Sequence, residues 1–404
     1  MRTLIKNATV YDGKGGKLTN SSILFDEKIL AVGNDLENMP HDITIDGTGK
    51  TVMPGLIDLH IHITRDGARD FRVQQGPENR AEFALTAYRN AYLFIKNGIT
   101  AVRNCGSKYD VDLEVRDIID SGYLMGPRIF GSGEHLTMTG GHGHMTGIEC
   151  DGIDEVTKAA RLQIKKGADM VKLMATGGGM TKGVKPGASQ LSEEEMRAAI
   201  TEAKKTGKIT AAHAQGNGGI KNAIRAGITT IEHGVEIDDE TIKLMKEHNT
   251  YLVPTLAAPY HTVKNGVAAG IPDWAVKKNE EAVIPHRASF RLCLKEGIKI
   301  GTGTDAGTPF NKAGDLATEI EQMVLEGMSI RQVISAATSV GAEILQMQDS
   351  FGALEEGLLA DIIIMNGDPE EEIRAFRSVE TVFKSGKCLY NAEIAKGMDL
   401  FFNA

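Results

Sequence analysis

Residues 170–213 read Met170-Val171-Lys172-Leu173-Met174-Ala175, then a segment of helical spacing over Ser192–Thr206, then Ile209-Thr210-Ala211-Ala212-His213. The first and last pieces are short, apolar and bounded by glycines or polar residues, as buried strands are. The middle piece opens with Ser192 followed three residues later by Glu195, a capping box that marks a helix start. Strand, helix, strand is the unit of a parallel sheet. The same rhythm extends outward in both directions. Strands are expected at Leu56–His62, Thr100–Cys105, Arg128–Ser132, Met170–Ala175, Ile209–His213, Thr229–His233, Tyr251–Leu256 and Lys299–Asp305. Helical spacing recurs at Glu240–His248, Ala288–Glu296, Leu316–Leu325 and Ile330–Leu345. Eight strand–helix repeats over residues 56–350 predict an α/β fold of the (β/α)8 TIM-like barrel type. On pattern alone a doubly wound open sheet remains the alternative.

The flanks differ. Residues 1–55 hold short apolar runs (Leu4-Ile5, Ile23-Leu24-Phe25, Ile29–Val32, Ile43-Thr44-Ile45) punctuated by glycines, which reads as an antiparallel sheet. Residues 351–404 return to that texture, with strand candidates Asp361–Met365 and Val379–Phe383. The two ends are expected to pair into one small β-sandwich domain of residues 1–55 plus 351–404, beside a barrel domain of residues 56–350.

Composition narrows the function classes. With 404 residues, 41% of them hydrophobic, the chain can build a full core without disulfides or structural metals. A formal charge of −9 from 54 acidic and 45 basic residues argues against a nucleic-acid partner. Cys105, Cys150, Cys293 and Cys388 form no CxxC pair or zinc-ribbon spacing, which suggests a reducing compartment. The first residues lack the apolar core of a signal peptide, and no run approaches a membrane span. A soluble, cytoplasmic homo-oligomer is expected, with a small-molecule substrate and no membrane partner.

The chemistry lies at the ends of the expected strands. In His60-Ile61-His62 the two imidazoles project from the same face, because strand side chains alternate. The fourth strand carries Lys172. The fifth ends in His213, the sixth in His233 and the eighth in Thr304-Asp305. Catalytic side chains of such barrels stand at the C-terminal ends of the strands. So many ionisable groups at one face are not explained by packing.

This series resembles the metal-dependent amidohydrolase superfamily. The resemblance rests on Pro54-Gly55-Leu56-Ile57-Asp58-Leu59-His60-Ile61-His62, Lys172, His213, His233, Thr304-Asp305 and the return segment Gly352–Asp361. It covers nearly the whole chain. Within it, Thr139-Gly140-Gly141-His142-Gly143 and Met174-Ala175-Thr176-Gly177-Gly178 look like the prolidase-like, imidazolonepropionase-related subgroup. The resemblance implies two divalent metal ions, of which Zn²⁺ suits such ligands. His60, His62 and Asp305 would bind one and His213 and His233 the other. A plain ammonium has no acceptor and cannot ligate, so Lys172 would carry a carbamate from CO2 and bridge the pair together with a hydroxide. That hydroxide would attack the amide of a dipeptide or N-acyl amino acid, a prolidase- or carboxypeptidase-like reaction. Asp305 would move the proton, and His142 would stabilise the oxyanion.

Other features are given plainer readings. Gly140-Gly141 and Gly177–Gly179 do not make a phosphate loop. His135, His248, His261 and His286 are taken as structural, and His144 as a surface loop residue. Arg65, Arg69, Lys182 and Lys185 fall in loops at the expected catalytic face, where one could hold a substrate carboxylate. Gln215 occupies a place where prolidases of the subgroup tend to carry an aromatic, which opens the site to residues other than proline. A cyclic-amide hydrolase or deaminase of the imidazolonepropionase-like type is the alternative, and Lys172 weighs against it. A catalytically dead assembly protein would have lost ligands that are all present here.

Overall fold

The computed structural model describes residues 1–68 and 80–395. Its centre is built from parallel strands. Met170–Met174, Ile209–Ala214, Thr230–His233 and Tyr251–Val253 pair in that order. Leu56–Ile61, Ile99–Asn104 and Arg128–Gly131 form a second parallel set. Every residue of Leu56–Ile61, Ile99–Asn104, Met170–Met174 and Ile209–Ala214 is buried. Parallel strands covered by helices on one side and core on the other read as continuous apolar runs for this reason. Two short strands not anticipated from sequence, Leu136–Thr137 and Ile148–Glu149, extend the first set beside the strand of Lys172.

The eighth expected strand is a correction. Lys299–Asp305 forms isolated bridges rather than a ladder. Across its first half the Leu252 N–H donates to Lys299 O at 3.1 Å and the Gly301 N–H to Leu252 O at 3.0 Å, and the Asp305 N–H donates to His60 O at 2.7 Å. Between them the Thr304 N–H turns away to the Asp58 carboxylate at 2.9 Å, and Asp305 adopts φ 59. The segment thus touches both parallel sets, at Leu252 on one side and at Leu59, His60 and His62 on the other. Elsewhere the Asp169 N–H donates to Gly131 O at 2.8 Å.

The helix over Glu193–Lys205 starts as its capping box dictates: Ser192 Oγ accepts from the Glu195 N–H and the Glu195 carboxylate from the Ser192 N–H. Such caps are worth about 1 kcal/mol. Its buried residues, Met196, Ala199, Ile200 and Ala203, follow the helical period. Two expectations change. Ala288–Glu296 is the end of a longer helix, Asp273–Lys295, whose earlier turns are masked in sequence by charges and by Pro285. Ile330–Leu345 is two helices, Ile330–Ala336 and Ser339–Ile344. The break falls at Thr338, whose hydroxyl bonds back to Ile334 O and across to Gly13 O.

The terminal strands join in one eight-stranded sheet. Lys50–Pro54, unrecognised in the sequence, sits at its middle, between Thr3–Tyr11 and Ile362–Asn366. Thr3–Tyr11 runs parallel to Ile43–Asp46 and to Lys50–Pro54, so the sheet is mixed and not antiparallel as expected. Lys50–Pro54 leads directly into Leu56–Ile61, which anchors the first histidine-bearing strand to this sheet. Among the described residues no helix is long and apolar enough to cross a membrane.

Candidate active site

The strand ends converge. The ring centroids of His60 and His62 lie 5.7 Å apart, those of His60 and His233 5.0 Å, and those of His213 and His233 4.6 Å. Asp305 Oδ1 stands 3.2 Å from His62 Nε2 and 3.7 Å from His60 Nε2. Lys172 is 1% exposed, and its Nζ has no hydrogen-bond partner among the described residues. All six residues, with His142, line one cavity of about 200 Å³. His233, Thr255 and Asp305 take left-handed backbone conformations at the strand ends. Each costs on the order of 1–2 kcal/mol, and such strain gathers at functional sites.

The far nitrogens of the rings are tied down, which fixes what faces the cavity. His60 Nδ1–H donates to Glu232 Oε2 at 2.7 Å, and Glu232 Oε1 accepts from Arg103 Nη2 at 2.6 Å. Arg103 also donates to Thr230 Oγ1 at 2.9 Å. His62 Nδ1–H points to Gly106 O at 3.3 Å, and His233 Nδ1 lies 2.6 Å from Thr255 Oγ1. The turn after Thr255 is held by Glu319, which accepts from the Leu256 and Ala257 N–H groups. Carboxylate and carbonyl partners of this kind set the tautomer and aim of metal-binding imidazoles.

Electrostatics favour ligating forms. Burial, with the Lys172 cation adding to it, pushes His60 down to about 4. Burial likewise takes His142 down to about 3 and holds His213 and His233 well below the usual histidine value. Burial alone would raise the Asp305 carboxyl, but the His62 hydrogen bond and the neighbouring imidazoles hold it well below the usual carboxylate range. Neutral imidazoles beside an ionised carboxylate are divalent-cation ligands. The ligand atoms of His60, His62 and Asp305 all lie within 4.8 Å of one another. A second such group, His60, Cys105 and Glu232, is a poor one. Glu232 is already paired with Arg103, and burial pushes the Cys105 thiol up to about 12.

His142 sits on the loop after Leu136–Thr137, its ring 4.3 Å from that of His213 and its Nδ1 2.8 Å from Thr181 Oγ1. A Cβ on Gly178 would come 2.7 Å from both rings, so the glycine lets that loop lie against them. Arg65, Lys182 and Gln215 line the cavity, whereas Lys185 is absent from its wall. Arg69 lies outside the described residues. His135, His286 and His144, read as structural or surface residues, also line the cavity, and the first two are buried. His286 bonds to Pro254 O at 2.7 Å. His261 sits 3.4 Å from Asp315, and His248 is exposed at a helix end. Glu232, Arg103, Thr255 and Thr181 were missed as supports. Glu232 and Arg103 left a trace, each a charged residue inside an expected strand whose residues are all buried.

The arrangement matches known proteins over nearly its whole length. The amidohydrolase family profile covers residues 51–389. Ochratoxinase of Aspergillus niger is 29% identical over 422 residues, spanning 95% of this chain and 86% of that protein. Its crystal structure superposes with a TM-score of 0.86 at 28% identity, covering 96% of each chain. A Xaa-Pro dipeptidase crystallised with methionine in its active site is 33% identical, with a TM-score of 0.89, over 97% of this chain and 100% of the dipeptidase. A prolidase complexed with N-methylphosphonate-L-proline gives 29% and 0.88 over 97% of this chain and 100% of that one. On this evidence the chain is a hydrolase acting on amide bonds, and it belongs to the amidohydrolase family.

Proposed function

We propose that this enzyme hydrolyses the amide bond of a dipeptide or N-acyl amino acid whose released amino acid has an apolar side chain. The observation that carries the reading is the buried Lys172 amine, without a hydrogen-bond partner among the described residues and set among four strand-end imidazoles and Asp305. Two divalent cations held by these residues would repel a bare ammonium, whereas a carbamate on Lys172 would reverse its charge and offer two oxygens. His60, His62 and Asp305 would hold one divalent ion, His213 and His233 a second, and carbamylated Lys172 would lie between them. Zinc suits this donor set, and two such ions supply Lewis acidity and lower the pKa of the attacking water.

The chain's own groups do the rest. The Asp305 carboxylate accepts the proton of the attacking water and returns it to the leaving amine. The neutral His142, its Nδ1 occupied by Thr181, offers Nε2 to the substrate oxygen as negative charge develops. Arg65 and Lys182 place positive charge on the cavity wall, suited to the carboxylate of the released amino acid. Met145, Met174, Met180, Val235, Ala258 and Pro259 give the wall its apolar part. Asp305 is the sole acid among the described lining residues, so a cationic substrate side chain finds no partner. Gln215, on the cavity wall where prolidases of the subgroup tend to carry an aromatic, leaves room for residues other than proline.

We infer further that the eight β/α units close as a barrel over residues 56–350, with residues 1–55 and 351–404 as the accessory β-domain. The bonds of Lys299–Ala306 to both parallel sets support closure. A panel of dipeptides and N-acyl amino acids, incubated with metal-loaded enzyme and read by amine release, tests the function. Turnover should favour apolar amino acids over lysine and arginine. Turnover of no amide, or a preference for the cationic ones, would refute it.

A further inference from the structure

His135 stands at the base of the loop that carries His142. Its backbone carbonyl accepts from the Ile148 N–H at 2.8 Å, where Leu136–Thr137 and Ile148–Glu149 meet. Its side chain is 2% exposed. The ring is enclosed by three glycines. A Cβ on Gly106 would come 2.5 Å from Nδ1, and one on Gly143 or Gly147 would come 2.5 Å from Nε2. Two of them, Gly106 at φ +136 and Gly143 at φ +72, are also in conformations that other residues rarely adopt. The backbone is therefore shaped to an imidazole at this position.

The two edges of the ring meet two parts of the site. Nε2–H donates to Gly143 O at 3.1 Å, one residue after His142. That carbonyl also accepts from the Thr146 and Gly147 N–H groups, so it is the point around which the loop is wound. The opposite edge rests on Gly106, whose carbonyl takes the His62 Nδ1–H. Nδ1 itself is buried with no partner among the described residues. An unpaired buried acceptor costs free energy that a leucine of similar volume would avoid. Its retention calls for a return elsewhere.

We propose that His135 is a positioning residue. Its Nε2–H, through the Gly143 carbonyl, sets loop 139–147 so that the His142 ring stands over His213. The proposal rests on the reading that His142 acts on the substrate oxygen. The loop has other ties, among them His142 N–H to Gln190 Oε1 at 2.9 Å, Gly143 N–H to Thr181 Oγ1 at 3.2 Å, Arg65 Nη2 to Thr146 Oγ1 at 3.4 Å and Lys108 Nζ to Met145 O at 3.1 Å. At the Gly143 carbonyl itself, the described side-chain donors are His135 and Thr146.

The test compares His135→Leu, which keeps volume and loses the donor, with His135→Gln, whose amide N–H has comparable reach. Metal-loaded full-length enzyme is used, with metal content measured for each variant. His135→Leu should lower kcat on the order of 10²-fold, the cost of misplacing a catalytic group by about an ångström. KM should stay within about threefold, since the loss falls on the transition state. His135→Gln should recover most of the lost kcat. In a His142→Ala background, His135→Leu should cost no further kcat. Amide hydrogen exchange over residues 139–147 should quicken in His135→Leu and not in His135→Gln. Equal losses in the two single variants, an additive loss in the double variant, or unchanged exchange in His135→Leu would overturn the proposal. Absence of amide turnover in the unaltered enzyme would refute the functional reading instead, and the exchange comparison would still decide whether His135 holds the loop.

Discussion

Replacing Glu232 by glutamine changes one atom and should be among the most damaging substitutions in the chain. Glu232 and Arg103 are both fully buried, with Oε1 2.6 Å from Nη2, and the other carboxylate oxygen takes the His60 Nδ1–H at 2.7 Å. Thr230 Oγ1 donates to the same carboxylate. All of its immediate neighbours are donors. A glutamine turns its N–H2 toward either Arg103 or His60, and a donor faces a donor in both cases. Removing one partner of a buried pair leaves an uncompensated charge and costs roughly 3–5 kcal/mol. Where the N–H2 faces His60, the ring also loses the acceptor that aims it, which should weaken metal binding by roughly 10–100-fold. Urea denaturation of metal-free protein reads the first effect and competition against a chelator the second. The double variant Arg103→Leu/Glu232→Leu separates them. Both charges leave together, so stability should return to within about 2 kcal/mol of the parent, while metal affinity stays low because His60 still lacks its acceptor. An unchanged urea midpoint and unchanged metal affinity in Glu232→Gln would refute the reasoning.

Three further outcomes are expected. Asp305→Asn should lose kcat with KM little changed in steady-state kinetics, because the amide cannot accept and deliver the proton; kcat surviving within about tenfold would place the proton transfer elsewhere. Lys172→Ala should lose metal and activity together, and high concentrations of formate or propionate should restore part of both; an unmodified Lys172 in a metal-loaded, active crystal would contradict this. Burial pushes His286 down to about 4, below its unfolded value, so the unfolded chain binds the proton first as pH falls. Its contribution is complete above pH ~6.5 and drains away toward pH 4, at about 1.4 kcal/mol per pH unit. His286→Gln keeps a donor for Pro254 O and should flatten that part of the acid-side loss in urea midpoints. An identical slope would show that another group carries it.

The metal-ligand candidates were legible because strand periodicity is local. His60 and His62 share a face whatever surrounds them, and Lys172, His213 and His233 sit at positions that a run of apolar residues defines. Most strand boundaries agree to within a residue for the same reason. Lys299–Asp305 failed because Asp58, distant in sequence, draws the Thr304 N–H out of the ladder. Glu232 was visible as a letter, but its role depends on Arg103, 129 residues away. His135 was set aside for want of a partner in the pattern. Its partners are glycines, which carry no side chain for a pattern to display. The long helix Asp273–Lys295 hid behind Pro285 and a run of charges whose burial only the fold decides.

On the proposed reading, amide hydrolysis needs two metal ions held by His60, His62, Lys172, His213, His233 and Asp305. Six ligands are too many for one four-coordinate zinc. The most direct measurement is turnover of a responsive N-acyl amino acid as metal-free enzyme is titrated with Zn²⁺ in the presence of bicarbonate, with bound metal counted by elemental analysis. No turnover is expected without metal, and full turnover only as the second equivalent binds. Full activity at one equivalent, or in its absence, would contradict the reading.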